Sequence, residues 1–578
     1  MKKFFEKHTV AKLLGLLLFI AVILSWFVPY SAFEGAELIK TEKAFIGLND
    51  LTSVLTSSIN FIVDKIIYLL VLGGFYAVIS KTEGYRKLVT DISNKIKGKE
   101  VIFVLITSII LTVLTSFLTY SFIVLLFVPM IIMILRNAGI NKVTTFAATF
   151  GAMLVGILGA TYGYDGLLTF NAYFSQTFTG KSAMDMTLGY RAIILLFAVA
   201  LYNFFLYFGV KKSLDSKKKK SDLQVDNDFT IEPVKSKNVK TFPIIVILSL
   251  VLVFAILGFV DWKGIFKLTI FDELHEWLIG LKVGKDVTII SYVLGRTSSA
   301  FGTWGLLNMS VVLVILALLT KALYSIKFDE FFTSFGEGIK RMVKPVGVII
   351  AVYAVFVATY MGGVVPKITD DIMHKDAQPK YNIDYNGAGV AIFNVDDDKD
   401  GKVDYNPMNQ DKDNNGICDL NCDSNKDGYP DKNIDINGDG KLDETDDMII
   451  AQLTGVSTLN QDVNGDGIAD ININNDFNLF KAVAGSMFVN LFNTDLGYTS
   501  YSMGGYLLSN YGGHVKLIFV IFVLIHGLFQ FFIPTGMLLA LGLVYVDLGF
   551  KDWIKYIWRY VLGMLCVILL MFIFILIM

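Results

Sequence analysis

The stretch "AKLLGLLLFIAVILSWFVPY" (residues 11–30) decides the fold class, because it is long and apolar enough to cross a bilayer. Similar runs follow at "YRAIILLFAVALYNFFLYFGV" (190–210) and "YVLGMLCVILLMFIFILIM" (560–578). Each reaches the roughly 20 residues that a hydrocarbon core of about 30 Å requires. The N-terminal run lacks a small-residue cleavage pattern and is followed by many others, so we interpret it as a span. We therefore predict an all-α polytopic membrane protein.

The composition agrees, since 54% of the 578 residues are hydrophobic and 18% are charged. Basic segments flank the spans, and the positive-inside rule then places the N-terminus and the loop at 81–100 in the cytoplasm of a bacterial cell. The run 101–135 is interrupted near residues 115–121 and predicts either two spans or a re-entrant hairpin. Asp64 and Lys65 begin a span near its outer interface, where their charged ends would reach water.

A basic linker divides the chain into two membrane halves of about 10–12 spans or hairpins in all, and an acidic block is inserted in the second half. The loop at 327–344 resembles the loop at 81–100 in its amphipathic, basic character, and the charge pattern places both in the cytoplasm. The predicted segments are a first membrane half at 1–210, a cytoplasmic linker at 211–240, the start of the second half at 241–366, an extracellular acidic insertion at 367–480, and the end of the second half at 481–578.

The acidic insertion repeats a pattern of Asp or Asn at its positions 1, 3 and 5, Gly at position 6 and Asp at position 9. Ca²⁺ takes six to eight oxygen ligands, and the Gly permits the sharp turn that lets these side chains converge on one ion. The five copies predict these ligands: Asp396, Asp398, Asp400, Asp404; Asp411, Asp413, Asn415, Asp419; Asp423, Asn425, Asp427, Asp431; Asp435, Asn437, Asp439, Asp443; Asp462, Asn464, Asp466 and Asp470.

These copies resemble the calcium repeats of thrombospondin type 3 and dockerin modules, which implies an extracellular module that binds Ca²⁺, with a protein partner of the dockerin kind as a candidate. Composition alone would also fit a disordered acidic linker, but five copies in register favour calcium binding. Millimolar Ca²⁺ is an extracellular condition, in agreement with the predicted side of the membrane. Cys418 and Cys422 could form a small disulfide there or fill turns as small residues.

Four interrupted apolar segments carry the candidate transport site. Transporters often bind solutes where paired helices unwind near the midplane of the membrane, because irregular backbone is tolerated there only where it lines a cavity. Hydroxyls and free backbone groups suit Na⁺ and a carboxylate at a helix N-terminus, although small residues also let helices pack closely. The candidate residues are Thr115, Ser116, Thr119, Ser121, Thr161, Tyr164, Asp165, Asn493, Asp495, Pro534, Thr535 and Gly536.

The residues show no enzyme motif: the five His form no metal pattern, and neither a phosphate loop nor a nucleophile motif is present. His526 could relay protons, but hydrogen bonding inside the helix bundle is the favoured interpretation. We expect an ion-coupled transporter with no catalytic residues. The alternative is a receptor or anchor that transports nothing and displays a calcium-dependent binding module.

Several stretches resemble the YfcC-type carriers of the ion-transporter superfamily: "FVPYSAF" (27–33), "VLGGFYAVISKTEGYRKLV" (71–89), "TIISYVLGRTSSAFGTWGLLN" (288–308) and "FFIPTGMLLALGLVYVDLGFKDWIKYIW" (531–558). The resemblance implies secondary transport of amino acids or C4-dicarboxylates on a scaffold of two inverted repeats with re-entrant hairpins. By position it places the segment from Thr115 to Ser121 and that from Pro534 to Gly536 beside the transport path.

Two features depart from these carriers. The Asn-Pro-Phe of many relatives is replaced by "GATYGYDGL" (159–167), and the acidic insertion is extra. Inverted repeats would also place the loops at 81–100 and 327–344 on opposite sides of the membrane, in conflict with the charge pattern. The implied partners are the lipid bilayer, a small-molecule substrate, Na⁺ as a candidate coupling ion and a second subunit if the protein forms a homodimer; nothing indicates nucleic acid.

Overall fold

The structure is a computed structural model that describes residues 9–34, 37–40, 45–174, 182–216, 239–281, 295, 298–373, 380–382, 384–385, 391–392, 472–474, 478–493, 495–511 and 514–577. It is an all-α helical bundle, as predicted. Eight of the described helices are long and apolar enough to cross a membrane. The twenty Ca²⁺ ligands predicted at 396–470 lie outside the described residues.

The helices of the first half begin and end largely where the apolar runs do. Ile62 separates α2 from α3, and the first turn of α3 contains Asp64 and Lys65. The bounds are α1 Thr9–Phe27, α2 Asp50–Phe61, α3 Val63–Lys81, α4 Glu83–Lys95, α5 Glu100–Phe117, a 3₁₀ helix Ser121–Leu126, α6 Val128–Asn137, α7 Lys142–Phe146, a π-helix Ala147–Gly151, α8 Ala152–Leu158, α9 Asp165–Phe174 and α10 Ala183–Ser216.

The second half repeats the combination of long helices and interrupted ones. Within the described residues, its bounds are α11 Phe242–Phe259, α12 Trp262–Phe266, α13 Ile270–Gly280, α14 Leu306–Leu323, α15 Phe328–Met361, α16 Val364–Met373, α17 Leu479–Phe492, α18 Leu496–Tyr511, α19 Val515–Phe529, α20 Met537–Tyr545 and α21 Phe550–Ile577. Helix α16 continues past residue 366, where we expected the insertion to begin.

Both basic segments that the sequence suggested as loops are helical instead. The segment 81–100 contains α4, which Thr82 caps by accepting a hydrogen bond from the Tyr85 amide. The segment 327–344 is the first half of α15, which continues through Pro345 into the next apolar run. Their amphipathic character is that of helices lying on a bundle rather than of loops.

Helices α3 and α15 cross closely at two glycines, Gly73 and Gly338. A Cβ at Gly73 or at Gly338 would collide with the backbone of the other helix, so the crossing requires glycine at both positions. Near the same end of α3, Lys81 lies 3.7 Å from Glu337. The segments around 81 and 337 therefore lie at the same end of the bundle, as the charge pattern indicated.

The described strands form three short antiparallel pairs. Strand β1 (Ser31–Glu34) pairs with β2 (Glu37–Lys40), and β4 (Asp384–Tyr385) pairs with β5 (Ala391–Ile392). Strand β3 (Lys380–Asn382) pairs with β6 (Asn472–Asn474), with Asn382 opposite Asn472. The chain therefore leaves and returns at adjacent positions on either side of the acidic repeats.

Candidate functional site

Two helix interruptions of the first half pair with each other. Helix α5 ends at Phe117 and α8 at Leu158, and residues 118–120 and 159–164 are not helical. The Thr161 hydroxyl donates to the Ser116 carbonyl at 2.8 Å, and the amides of Thr161 and Gly163 donate to the same oxygen. The Ser116 carbonyl belongs to the last turn of α5, where carbonyls have no partner within the helix. Each interruption thus satisfies the backbone of the other.

Arg191 holds the second of these interruptions from α10. Its guanidinium is fully buried and donates to the carbonyls of Ala160, Thr161 and Met184 and to the Thr187 hydroxyl. A cation at the carboxyl end of α8 complements the helix dipole. The planar guanidinium can serve several carbonyls at once, which an ammonium group cannot do in the same geometry.

The second half contains a matching pair of interruptions. Helix α17 ends at Phe492 and α19 at Phe529, and residues 530–536 are not helical. The Thr535 hydroxyl donates to the Leu491 carbonyl at 2.9 Å, as Thr161 does to Ser116 in the first half. In both halves a threonine of the later interruption therefore satisfies a carbonyl in the last turn of the earlier helix.

Side chains stabilise this second pair further. The Asn493 amide donates to the Thr499 hydroxyl, and its carbonyl oxygen accepts from the Asp495 amide at 2.9 Å. His526 lies 2.7 Å from the side-chain oxygen of Asn490 through Nδ1, and its Nε2 lies 3.3 Å from Gln530. His526 is therefore hydrogen-bonded inside the bundle, which was the favoured interpretation.

All four interruptions meet at one cavity of about 400 Å³, counting its part open to solvent. Each interruption contributes residues at or next to the start of the helical segment that follows it. These are Ser121 and Phe122, then Tyr164, Asp165 and Gly166, then Asp495 and Leu496, and finally Met537 and Leu538. The N-termini of α9, α18 and α20 therefore reach the cavity wall, where their amides and dipoles favour an anionic group.

Carboxylates line the cavity, and a buried ammonium group contacts one of them. Lys65 Nζ lies 3.4 Å from Asp165 Oδ2 and 3.9 Å from Asp64 Oδ2, and the Lys65 side chain is only 8% exposed. Tyr353 and Asp495 both line the cavity, and the Tyr353 hydroxyl donates to Asp495 Oδ2 at 3.2 Å. The position of Lys65 near the start of a span predicted that its side chain extends to water. It does not, because Asp165 provides a partner inside the bundle.

The structure brings together four of the twelve predicted site residues, since Ser121, Tyr164, Asp165 and Asp495 line the cavity. Asn493 and Thr535 stabilise the neighbouring backbone, and Pro534 and Gly536 belong to the fourth interruption.

The hydroxyls of Thr115, Ser116 and Thr119 donate to the carbonyls of Leu111, Val113 and Phe259. Their role in binding stays a prediction.

The sequence analysis missed Lys65, Tyr353 and Gln530 as site residues and favoured a hydrogen bond inside the bundle for His526. Lys65 and Gln530 lie in or beside apolar runs, where a charged or amide side chain is the signal that could have identified them, whereas Tyr353 gives no such signal.

A second cavity, of about 340 Å³, lies farther along α3 and is apolar. Its lining includes Leu69, Leu72, Phe150 and Tyr76, whose hydroxyl donates to the Leu126 carbonyl at 2.5 Å. A charged solute would find no ionic partner among these lining residues. The cavity between the interruptions is therefore the better candidate site. Within the described part of the chain, no three His, Cys, Asp or Glu side chains cluster as metal ligands.

A bundle of apolar helices whose paired interruptions enclose a buried, charged cavity is the architecture of a membrane transporter. Residues 10–378, well over half of the chain, match the family described as DcuC: C4-dicarboxylate anaerobic carrier. The chain belongs to this family. It is therefore a multi-pass membrane transporter and not an enzyme, and the carrier class that the sequence suggested is confirmed. The YfcC type stays a prediction.

Two solved structures are similar to almost the whole chain at low identity. The YdaH transporter of Alcanivorax borkumensis shares 10% identity over 98% of both chains, with a TM-score of 0.35. MtrF of Neisseria gonorrhoeae, described among antimetabolite efflux pumps, shares 11% identity over 97% of this chain and 94% of its own, with a TM-score of 0.30. At these scores neither supports an argument about this chain. No curated protein matches it.

Proposed function

We propose that this protein is an ion-coupled secondary transporter of small carboxylate-bearing solutes, either C4-dicarboxylates or amino acids. The observation that supports the proposal is the convergence of the α9, α18 and α20 N-termini on one charged cavity. Helix N-termini attract a carboxylate, and the unwound segments leave room for it. The family description supports C4-dicarboxylates, while the resemblance to YfcC-type carriers supports amino acids as well.

The charges of the cavity explain why an ion would be coupled to transport. Asp165 and Asp495 face the same space, and Lys65 is the one basic side chain that the described structure places in contact with Asp165. A dicarboxylate entering this space would meet two further carboxylates at low dielectric, where repulsion is strong. Binding then requires Na⁺ or a proton as compensation, whereas an amino acid supplies its own ammonium group.

Uptake into proteoliposomes tests this proposal. Labelled C4-dicarboxylates and labelled amino acids are offered separately, each with a Na⁺ gradient, with a pH gradient and with neither. We expect accumulation of one class only when one of the gradients is present. Absence of uptake for both classes, in protein that unfolds cooperatively on heating, would contradict the proposal.

We further propose that the repeats at 396–470 bind Ca²⁺ on the extracellular side and that the N-terminus is cytoplasmic. Two features of the sequence support this arrangement. The five copies are spaced in register, and the segments at 81–100 and 327–344 are basic, as the cytoplasmic side of a membrane protein favours. Isothermal titration of the intact protein with Ca²⁺ tests the binding. A protease added outside right-side-out vesicles tests the side, since it should cleave only the acidic segment.

A further inference from the structure

Lys65 is the least expected charge beside the cavity, because it contacts the lining residue Asp165 from another helix. It belongs to α3, an uninterrupted helix that begins at Val63, and not to any of the four interrupted segments. Its ammonium group is buried, lies 3.4 Å from Asp165 and is also close to Asp64. A buried cation is costly unless it is paired. The ammonium group is therefore stabilised at this position by the carboxylate of Asp165, the first residue of α9.

A second observation indicates that the cavity accommodates a ligand. Tyr164 precedes Asp165, is only 5% exposed and lines the cavity, yet its hydroxyl has no hydrogen-bond partner among the described residues. Buried polar groups are nearly always satisfied. Because Tyr164 lines the cavity together with Asp165, its hydroxyl is an oxygen atom available to a cation or a polar solute.

We propose that Lys65 is a tethered cation that occupies Asp165 when the cavity is empty and that a soluble monovalent cation must displace. The cation would be Na⁺ or the ammonium group of a solute, with Asp165 and the Tyr164 hydroxyl as its oxygen ligands. This inference rests on the proposed function. It adds a specificity-determining residue outside the interrupted helices.

The tethered cation explains how an empty carrier could change conformation. Asp165 without a cation would be an unpaired charge in a low-dielectric interior, which opposes movement of the site. With Lys65 paired to it, the empty cavity is compensated. Loss of the Lys65 charge should therefore abolish net uptake, which needs the empty carrier to return. It should spare exchange of labelled for unlabelled solute, in which the site is always occupied.

Thermal unfolding in detergent tests the displacement without any transport. The intact protein is titrated with sodium chloride or with methylammonium chloride, and choline chloride keeps the ionic strength constant. Lys65→Met removes the internal competitor, so we expect half-maximal stabilisation at a roughly tenfold lower concentration of one cation than in wild type, as for a change of about 1.4 kcal/mol. Lys65→Arg keeps a competing charge and should respond at a higher concentration than Lys65→Met.

The matched control is Lys81→Met, at the other end of the same helix. Lys81 forms a half-exposed pair with Glu337, and its loss should leave the titration unchanged. Equal midpoints for wild type and Lys65→Met with both cations would overturn the inference. An absence of stabilisation of Lys65→Met by either cation would do the same.

If Lys65→Met does not fold, the double variant Lys65→Met/Asp165→Asn decides, because it removes both charges of the pair. Loss of the wild-type cation response in this variant supports the inference, and an unchanged response overturns it. These titrations do not depend on transport. A wild-type protein that transports nothing but still shows the Lys65 effect would refute the proposed function alone.

Discussion

Tyr353 donates its hydroxyl to Asp495 at 3.2 Å, and this bond joins the uninterrupted helix α15 to the start of α18. Tyr353 is almost fully buried, and both it and Asp495 line the cavity. It thereby orients one of the two carboxylates that face the cavity.

We predict that Tyr353→Phe weakens solute binding while leaving the fold intact. A hydrogen bond to a charged group contributes about 1.5–3 kcal/mol, so the apparent affinity should fall roughly tenfold or more. The measurement is KM for uptake in proteoliposomes. The control is Tyr324→Phe, which removes a hydroxyl bonded to the Lys240 carbonyl. An unchanged KM in Tyr353→Phe would remove this contact from the site.

Arg191→Lys should impair transport even though the substitution keeps the positive charge. The ammonium group cannot bind the carbonyls of Ala160, Thr161 and Met184 in the geometry of the guanidinium. Buried carbonyls without partners cost about 1–3 kcal/mol each, so the unfolding temperature should fall as well. Arg559→Lys, at an exposed position of α21, is the control. Wild-type uptake and stability in Arg191→Lys would show that the interruption does not need this residue.

Replacing the matching threonines of the two halves, Thr161 and Thr535, should reduce the uptake rate to different extents. Thr535→Val removes a hydroxyl that donates to Leu491, whereas Thr161→Val leaves Ser116 with the amides of Thr161 and Gly163. We therefore expect Thr535→Val to reduce the uptake rate more than Thr161→Val, with Thr535→Ser close to wild type.

The control for both is Thr320→Val, whose buried hydroxyl donates only within its own helix, to Leu316, in the described structure. The prediction fails if Thr161→Val proves the more damaging change.

The sequence could reveal the interruptions because Gly, Pro and Ser clusters inside apolar runs are local signals. The non-helical residues 159–164 and 530–536 lie where those clusters lie. It could not reveal that Lys65 pairs with Asp165, since the two residues are one hundred positions apart and only packing brings them together. The basic segment at 327–344 was misinterpreted for a related reason. Its charges resemble those of a cytoplasmic loop, while its period and its packing against α3 make it helical.

The last prediction concerns the acidic insertion, whose two ends are joined by the pairing of β3 with β6. Because Asn382 lies opposite Asn472, residues 383–471 can be replaced by the two-residue turn Asn-Gly without separating the strands. We expect this deletion variant to fold and to transport, since it retains every residue of the cavity. Ca²⁺ should raise the unfolding temperature of the intact protein by binding only the folded state. It should leave the deletion variant unaffected.

Asp439→Ala removes a charged ligand from one repeat. Its response to Ca²⁺ should therefore lie between that of the intact protein and that of the deletion variant. Uptake measured at low and high external Ca²⁺ then separates two roles for the insertion. If Ca²⁺ changes uptake by the intact protein but not by the deletion variant, ordering the repeats acts on the membrane helices through β3 and β6. If uptake ignores Ca²⁺ in both, the module serves a surface partner and not transport. An intact protein that shows neither stabilisation nor binding would refute calcium as the ligand, and the repeats would then be an acidic linker.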